Sequence, residues 1–411
     1  MPSQSSDKPL PSETSARALL SLLGTFLAFF CSVGFSNAFG VFQTYYSSHQ
    51  LADRSNFDVA WIGSIALGIT FGMAPVTGVL VDRVGAAILL FSGSTGLLLS
   101  VFMTSLASKY YQFILAQAVL QGVSMSFVAF PSLAITSKNF HRNRGLALGI
   151  TVGGSSIGGL IWPIVLNELL NHENLSFGWT IRIVGFIMLP CLLLCCLSVR
   201  PSQPITTPRV SSEKHKTDLS IIKNPAFVLL CTGMAIIYLG IFGPFFYVSS
   251  YASSLGMSTS LSFYMISLLN AASLFGRVLP EFLADLYGHF NLCAGAGIFS
   301  SVIAFCWTTA TNEAGVIVWS LAYGFSSGAI SSLQAACVAK IATQQTQGTA
   351  VGLLMGSVAL TVLFGTPICG QLVGHYGYLA LSMFSGATLM AGSLLIVWAK
   401  LKLERNWMAL V

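Results

Sequence analysis

Charge is what this 411-residue sequence has least of: Asp, Glu, Lys and Arg together make 8% of it, against roughly 25% in soluble domains. With 54% hydrophobic residues there is too little polar side chain to cover a water-soluble globule, so the chain reads as an integral membrane protein. No CxxC pair and no clustered histidines supply metal-ligand spacing, and no metal site is expected. The cysteines Cys31, Cys191, Cys195, Cys196, Cys231, Cys293, Cys306, Cys337 and Cys369 all fall in apolar runs, as small packing residues do. The phosphate-cradling pattern GxxxxGK[ST] is missing, as is any intramembrane His/Asp or Ser/His constellation. The sequence therefore predicts neither an enzyme nor a cofactor, and no catalytic residue is named. The net charge of +6 is spread over short loops rather than gathered on one folded face, which argues against a nucleic-acid partner.

What is there is length without charge. Apolar runs fall at 17–42, 58–81, 86–107, 111–137, 146–167 and 178–199, and again at 225–250, 260–283, 290–310, 314–339, 349–373 and 377–399. Each approaches the ~20 residues of a spanning helix and exceeds any barrel strand. The expectation is an all-α membrane protein of twelve transmembrane helices in two pseudo-symmetric six-helix bundles, 17–199 and 224–399. Residues 1–16 lack the apolar core and cleavage site of a signal peptide and read as a disordered tail, the first helix acting as its own insertion signal. Residues 200–223, with Pro201, Pro204, Pro208 and the basic run Lys214-His215-Lys216, read as a linker, and 400–411 as a second tail.

Lys and Arg set the orientation. With the N-terminus inside, only Arg54, Lys109 and Arg182 fall outside; Arg277 lies within a helix, and every other Lys and Arg is cytoplasmic. Both tails, the linker and the loop after the second helix are then cytoplasmic. Asn174, in Asn174-Leu175-Ser176, falls outside as a candidate glycosylation site. The expected location is the plasma membrane.

The chain is organised around Gly78-Val79-Leu80-Val81-Asp82-Arg83-Val84-Gly85, a charged pair closed by glycines between two spanning runs. A weaker copy, Glu281-Phe282-Leu283-Ala284-Asp285-Leu286-Tyr287-Gly288, returns 203 residues later. At the same offset Phe39-Gly40 meets Phe242-Gly243, and Gly145, Gly149 and Gly153 meet Gly348, Gly352 and Gly356. Parallel repeats of this kind are one transporter architecture, with substrate bound between the halves near the midplane.

Twelve spans, the repeat and GVLVDRVG together resemble the major facilitator superfamily, whose loop between the second and third helices carries Gly-x-Leu-x-Asp-Arg-x-Gly. GFSNAFGVFQTYY (34–46), RGLALGITVGGSSIGGLIWPI (144–164), FGWTIRIVGF (177–186) and NAASLFGRVLPEFLADLYG (270–288) resemble the monocarboxylate porter family, in its fungal branch. The resemblance implies alternating access and a role for the Asp82-Arg83 loop in switching. Val41 stands where animal porters carry a lysine, and Ser273 where they carry an aspartate one turn before the eighth-helix arginine, Arg277.

Read as residues, Asp82 and Arg83 can pair or cap helix ends to hold an inner gate, or simply mark a tight loop. Arg142 and Arg144 could partner them or anchor to headgroups. An arginine inside a span faces water or a partner, so Arg277 is a candidate for substrate or coupling; a ladder Arg277–Glu281–Asp285 down its own helix is the alternative. Asn37, Gln121, Asn270 and Gln334 could line a cavity or join helices, and Phe39 and Tyr247 could shape an aromatic pocket. The two glycine rows, four apart, put small residues on one face of the fifth and eleventh helices, which are expected to pack tightly at the rocking surfaces, with Pro163 and Pro367 kinking their outer ends. The expected partners are the bilayer and a small organic molecule, carboxylate-bearing or amphipathic, with a proton as candidate co-substrate. The oligomeric state is left open and compatible with a monomer. Export of a secondary metabolite is one form of this reading. A transporter-like receptor is the rival, for which the linker and C-terminal tail provide no recruiting domain.

Overall fold

The computed structural model describes residues 15–140, 144–172, 175–199, 220–342 and 347–404. Asn174, Arg142, most of the linker and nearly all of both tails lie outside the described residues, as do the side chains of Asp82, Arg144 and Asp285.

Among the described residues every regular element is a helix. The first traverse is broken into Ala16–Cys31 (α1), Val33–Asn37 (α2) and Phe39–Ser48 (α3). Asn56–Gly72 (α4) and Ala74–Val84 (α5) follow, then Ala86–Thr104 (α6). Tyr110–Phe113 (α7) runs through a π-helical stretch, Ile114–Leu120, into Gln121–Asn139 (α8). Arg144–Asn167 (α9) and Phe177–Ser198 (α10) complete an N-terminal set. Pro225–Ser254 (α11), Thr259–Tyr287 (α12), His289–Phe305 (α13), Glu313–Ile341 (α14) and Gln347–Leu403 (α15) form a C-terminal set.

Nine helices among the described residues are long and apolar enough to cross a membrane, or ten with Asn56–Gly72 and Ala74–Val81, bent by 43°, taken as one span. That is fewer than the twelve expected, for two local reasons. Helix α13 is apolar but short, at 17 residues. Helix α15 runs 57 residues, far more than a hydrocarbon core of ~30 Å can hold at about 1.5 Å per residue, and non-helical Gly377 (φ 77°, ψ −176°) breaks it. The outward surface is apolar, with Phe91, Leu197, Phe282, Val318 and Leu360 all exposed. In water such a surface would associate; in lipid it is simply solvated.

The helix ends follow from local chemistry. The Ser55 hydroxyl accepts from Asp58 N (3.1 Å) while Ser55 N donates to the Asp58 carboxylate (3.3 Å), a reciprocal cap on α4. Ser258 caps α12 by accepting from Leu261 N, and Asn312 caps α14 by accepting from Gly315 N. One glycine makes each sharp turn where the sequence places its charged motif. Gly85 (φ 96°, ψ 145°) joins α5 to α6, and Gly288 (φ 85°, ψ 135°) joins α12 to α13. Both conformations are costly for any residue with a Cβ. The helix starts at Asn56, Ala86, Tyr110 and Arg144 recur at Thr259, His289, Glu313 and Gln347, each 203 residues on.

Call the end of the bundle with the α5–α6 and α12–α13 turns the near end, and the end with the α3–α4 and α11–α12 junctions the far end. Inside the N-terminal set, the hydroxyls of Thr25, Thr136 and Thr151 form a closed triangle 2.9–3.1 Å on a side that ties α1, α8 and α9. Within each set backbones approach through glycine: a Cβ on Gly158 would lie 2.8 Å from Gly34 Cα, and one on Gly233 2.8 Å from the Gly392 carbonyl oxygen. The predicted glycine rows are not part of this packing within the sets: Gly153, Gly352 and Gly356 face the opposite set instead. Among the described residues, Gly145 and Gly149 have nothing within 4 Å of an added Cβ, Gly153 would meet Leu274 of α12 at 3.2 Å, and Gly352 and Gly356 would reach Pro75, at 3.6 and 4.0 Å. Four-residue spacing fixes a face of α9 but not its distance from the opposite helix, and here that face stands off toward the near end. Pro163 and Pro367 both lie inside their helices.

Candidate functional site

The two sets meet along α3 with α11, α4 with α15, and α9 with α12. At the far end the contact is a seal. The Phe39 and Phe246 rings lie 5.0 Å apart, and a Cβ on Gly63 would press on both. The hydroxyls of Thr44 and Ser250 share a hydrogen bond of 3.0 Å, and those of Ser64 and Thr366 share another. The Asn56 carbonyl is a hub: the Gln43 amide donates to it at 3.2 Å and the Tyr247 hydroxyl at 3.5 Å. Phe39 and Tyr247, foreseen as pocket walls, are thus fully buried parts of this closure.

Deeper, toward the near end, polar groups from several helices gather around Arg277 of α12. Arg277 is 9% exposed, and its guanidinium reaches across the interface to α9. One terminal nitrogen donates to the Ser155 hydroxyl and, at 3.3 Å, to the Val152 carbonyl. Its Nε is buried with no hydrogen-bond partner among the described residues. Asn37 converges on the same turn of α9, its amide donating to the Ser155 carbonyl at 3.3 Å. From α11 the Tyr238 hydroxyl lies beside the Ser331 and Gln334 side chains of α14, with Arg277 in electrostatic range. The Gln334 amide nitrogen donates to the Ser331 carbonyl at 3.1 Å, while its carbonyl oxygen is buried with no partner among the described residues. Aromatic faces border this polar group: Phe71 of α4 stands 6.0 Å from the Tyr238 ring across the interface, and Phe242 5.8 Å from it along α11.

Arg277, Asn37 and Gln334 are therefore brought together, and two other candidates are not. Asn270 fills the space over Gly159, its amide bonded back to the Ile266 carbonyl at 3.0 Å. The Gln121 amide lies against Met125 of its own helix. Among the gate candidates, Gly78 and Arg83 face open space or solvent, and Glu281 is half-buried in electrostatic range of Cys337. The sequence singled out none of Tyr238, Ser155, Ser331 and Asn56. For Ser155 a signal existed: it follows Gly153-Gly154 in a run of small residues, where hydroxyls are the only polar atoms available.

Two helix sets meeting at a polar centre, closed at one end, define a membrane transporter. Residues 22–360 match the Major Facilitator Superfamily, and the chain belongs to that superfamily. It is 49% identical to an MFS-type transporter of Aspergillus fumigatus, over 97% of this chain and 95% of that protein. It is 48% identical to the agnestins efflux protein of Paecilomyces divaricatus, over 97% of this chain and 91% of that one. To the aspyridones efflux protein of Emericella nidulans it is 40% identical, over 97% and 81%. The chain is a secondary active, multi-pass membrane transporter of small organic molecules, and not an enzyme.

Proposed function

We propose that this protein exports an organic acid, a fungal secondary metabolite, across the plasma membrane by alternating access about Arg277. The relatives named for efflux of agnestins and aspyridones support the direction and substrate type. The unspent Arg277 Nε, and Tyr238 with Gln334 at its side and the Phe71 ring across the interface, support an acidic, flat cargo. In this reading the chain is a fungal relative of the monocarboxylate porters with twelve spans, counting α13 as one and α15 as two, in bundles 17–199 and 224–399. The 203-residue recurrence of helix starts supports the pairing of these bundles.

The termini are cytoplasmic, so the far end faces outward, the present form is closed to the outside, and Asn174 is open to glycosylation. At the near end Gly78, Asp82, Arg83 and Gly85 with Arg144, and Glu281, Asp285 and Gly288 in the second bundle, form the inner gate. Asn37, Gln334 and Tyr238 complete the site with Arg277, and a co-transported proton is not required by it.

One observation carries the proposal: a buried guanidinium crosses the interface between the sets onto neutral oxygens. An arginine at the centre of a spanning helix costs roughly 2.5–3.5 kcal/mol on insertion scales, and a hydrogen bond to a hydroxyl offsets only part of that. Arg277→Ala is expected to abolish efflux of the cognate metabolite from producing cells while surface expression stays intact. Efflux at the unmodified rate would remove Arg277 from the mechanism.

A further inference from the structure

Among the residues whose side chains are described, the site holds one fixed positive charge, and no carboxylate of theirs lies within 4 Å of Arg277. Among the described residues, the groups seen to face it from packed helices are neutral: the Ser155 hydroxyl and Val152 carbonyl from α9, and Tyr238 from α11, with Ser331 and Gln334 of α14 beyond. On its own helix Ser273 stands one turn away on one side and Glu281 one turn away on the other, the latter in electrostatic range of Cys337. A guanidinium stays charged at physiological pH, so Arg277 itself cannot pass a proton from one face to the other. What completes its shell must arrive as an anion, because a buried charge that meets only dipoles is poorly compensated.

We propose that transport is electrogenic and independent of protons: each cycle carries one organic anion on Arg277 and returns the site empty, so one negative charge crosses and the membrane potential supplies the drive. This rests on the placement of substrate at Arg277 argued above. In a cell with a negative interior the field pushes an anion outward, the direction of efflux. About 100 mV sustains an about fifty-fold concentration ratio for a single charge, the equivalent of ~2.3 kcal/mol.

The test uses the full chain in liposomes loaded with low potassium, with naphthalene-2-sulfonate as probe because its charge does not change with pH. Adding external potassium and valinomycin to set about 100 mV, positive inside, is expected to raise accumulation about fifty-fold over the potential-clamped control. A pH gradient of either sign at zero potential is expected to change nothing. Accumulation that follows the pH gradient at zero potential, or no flux above protein-free liposomes, overturns the proposal. Arg277→Gln separates the two layers of the argument. If potential-driven flux is lost in that variant, both stand; if it persists unchanged, electrogenic transport stands and the placement of substrate at Arg277 falls.

Discussion

Arg277 shows why a single side chain can be both anchor and weak point. Its bonds to Ser155 and Val152 satisfy one terminal nitrogen and leave Nε open, so the residue is held in place without being saturated. An anion would then add to an existing arrangement instead of displacing a salt bridge. Gly85 and Gly288 are the opposite kind of residue, fixed by backbone and not by partners. A Cβ at Gly85 would meet no neighbour, yet both glycines sit at positive φ with extended ψ, a region essentially reserved for glycine and costing of order 1–3 kcal/mol for other residues. Gly85→Ala is therefore expected to destabilise through strain alone, lowering the thermal midpoint of the detergent-solubilised protein. An unchanged midpoint would mean that the α5–α6 turn relaxes freely.

At the scale of elements, the far-end seal is built from weak bonds. Thr44 with Ser250, Ser64 with Thr366, and Tyr247 with the Asn56 carbonyl join the two sets. Side-chain hydrogen bonds between membrane helices average only ~0.6 kcal/mol each. Together they favour closure by roughly 2 kcal/mol, small enough for a bound substrate to reverse. The double variant Thr44→Cys with Ser250→Cys is expected to cross-link readily under oxidation, to stop transport, and to recover on reduction. Oxidised protein that transports at the unmodified rate would show that α3 and α11 need not part. The π-helical stretch Ile114–Leu120 marks a difference in kind between the two sets, since the corresponding part of α14 is regular. It presents Gln117 to the Tyr46 hydroxyl at 2.6 Å, and such stretches recur at functional positions.

For the whole molecule, much of the plan was legible in one dimension. Scarce charge gave the membrane, and the spacing of Asp82 and Gly85 from Asp285 and Gly288 gave a repeat whose helix starts keep the same offset. Arg277 stood out because an uncharged helix makes any charge conspicuous. Its partner did not, because Ser155 lies on another helix and the register between α9 and α12 leaves no trace in linear spacing. The same limit misplaced Phe39 and Tyr247. An aromatic in an apolar run says only that it will be buried, and whether it lines a cavity or plugs one depends on the state of the molecule. Gly377, which opens the run 377–399, is where the backbone of α15 leaves the helix, because a glycine can signal a break locally. The shortness of α13 was less visible, since the apolar run at 290–310 continues past the residue where the regular helix stops.

The vacant flank of α9 has a further meaning. Gly149 and Gly145 continue the line of Gly153, where an added Cβ would meet Leu274 of α12, yet among the described residues nothing lies within 4 Å of a Cβ added to either. Room left unoccupied in one shape of a two-shaped object is a berth kept for the other. A leucine at Gly149 would sit there at ease now and obstruct the arriving helix later, so Gly149→Leu is expected to trap the transporter with its far end shut. In the background of the Thr44→Cys and Ser250→Cys double variant, that would appear as faster disulfide formation and stalled export, and cross-linking at the parental rate would show that this berth is never filled.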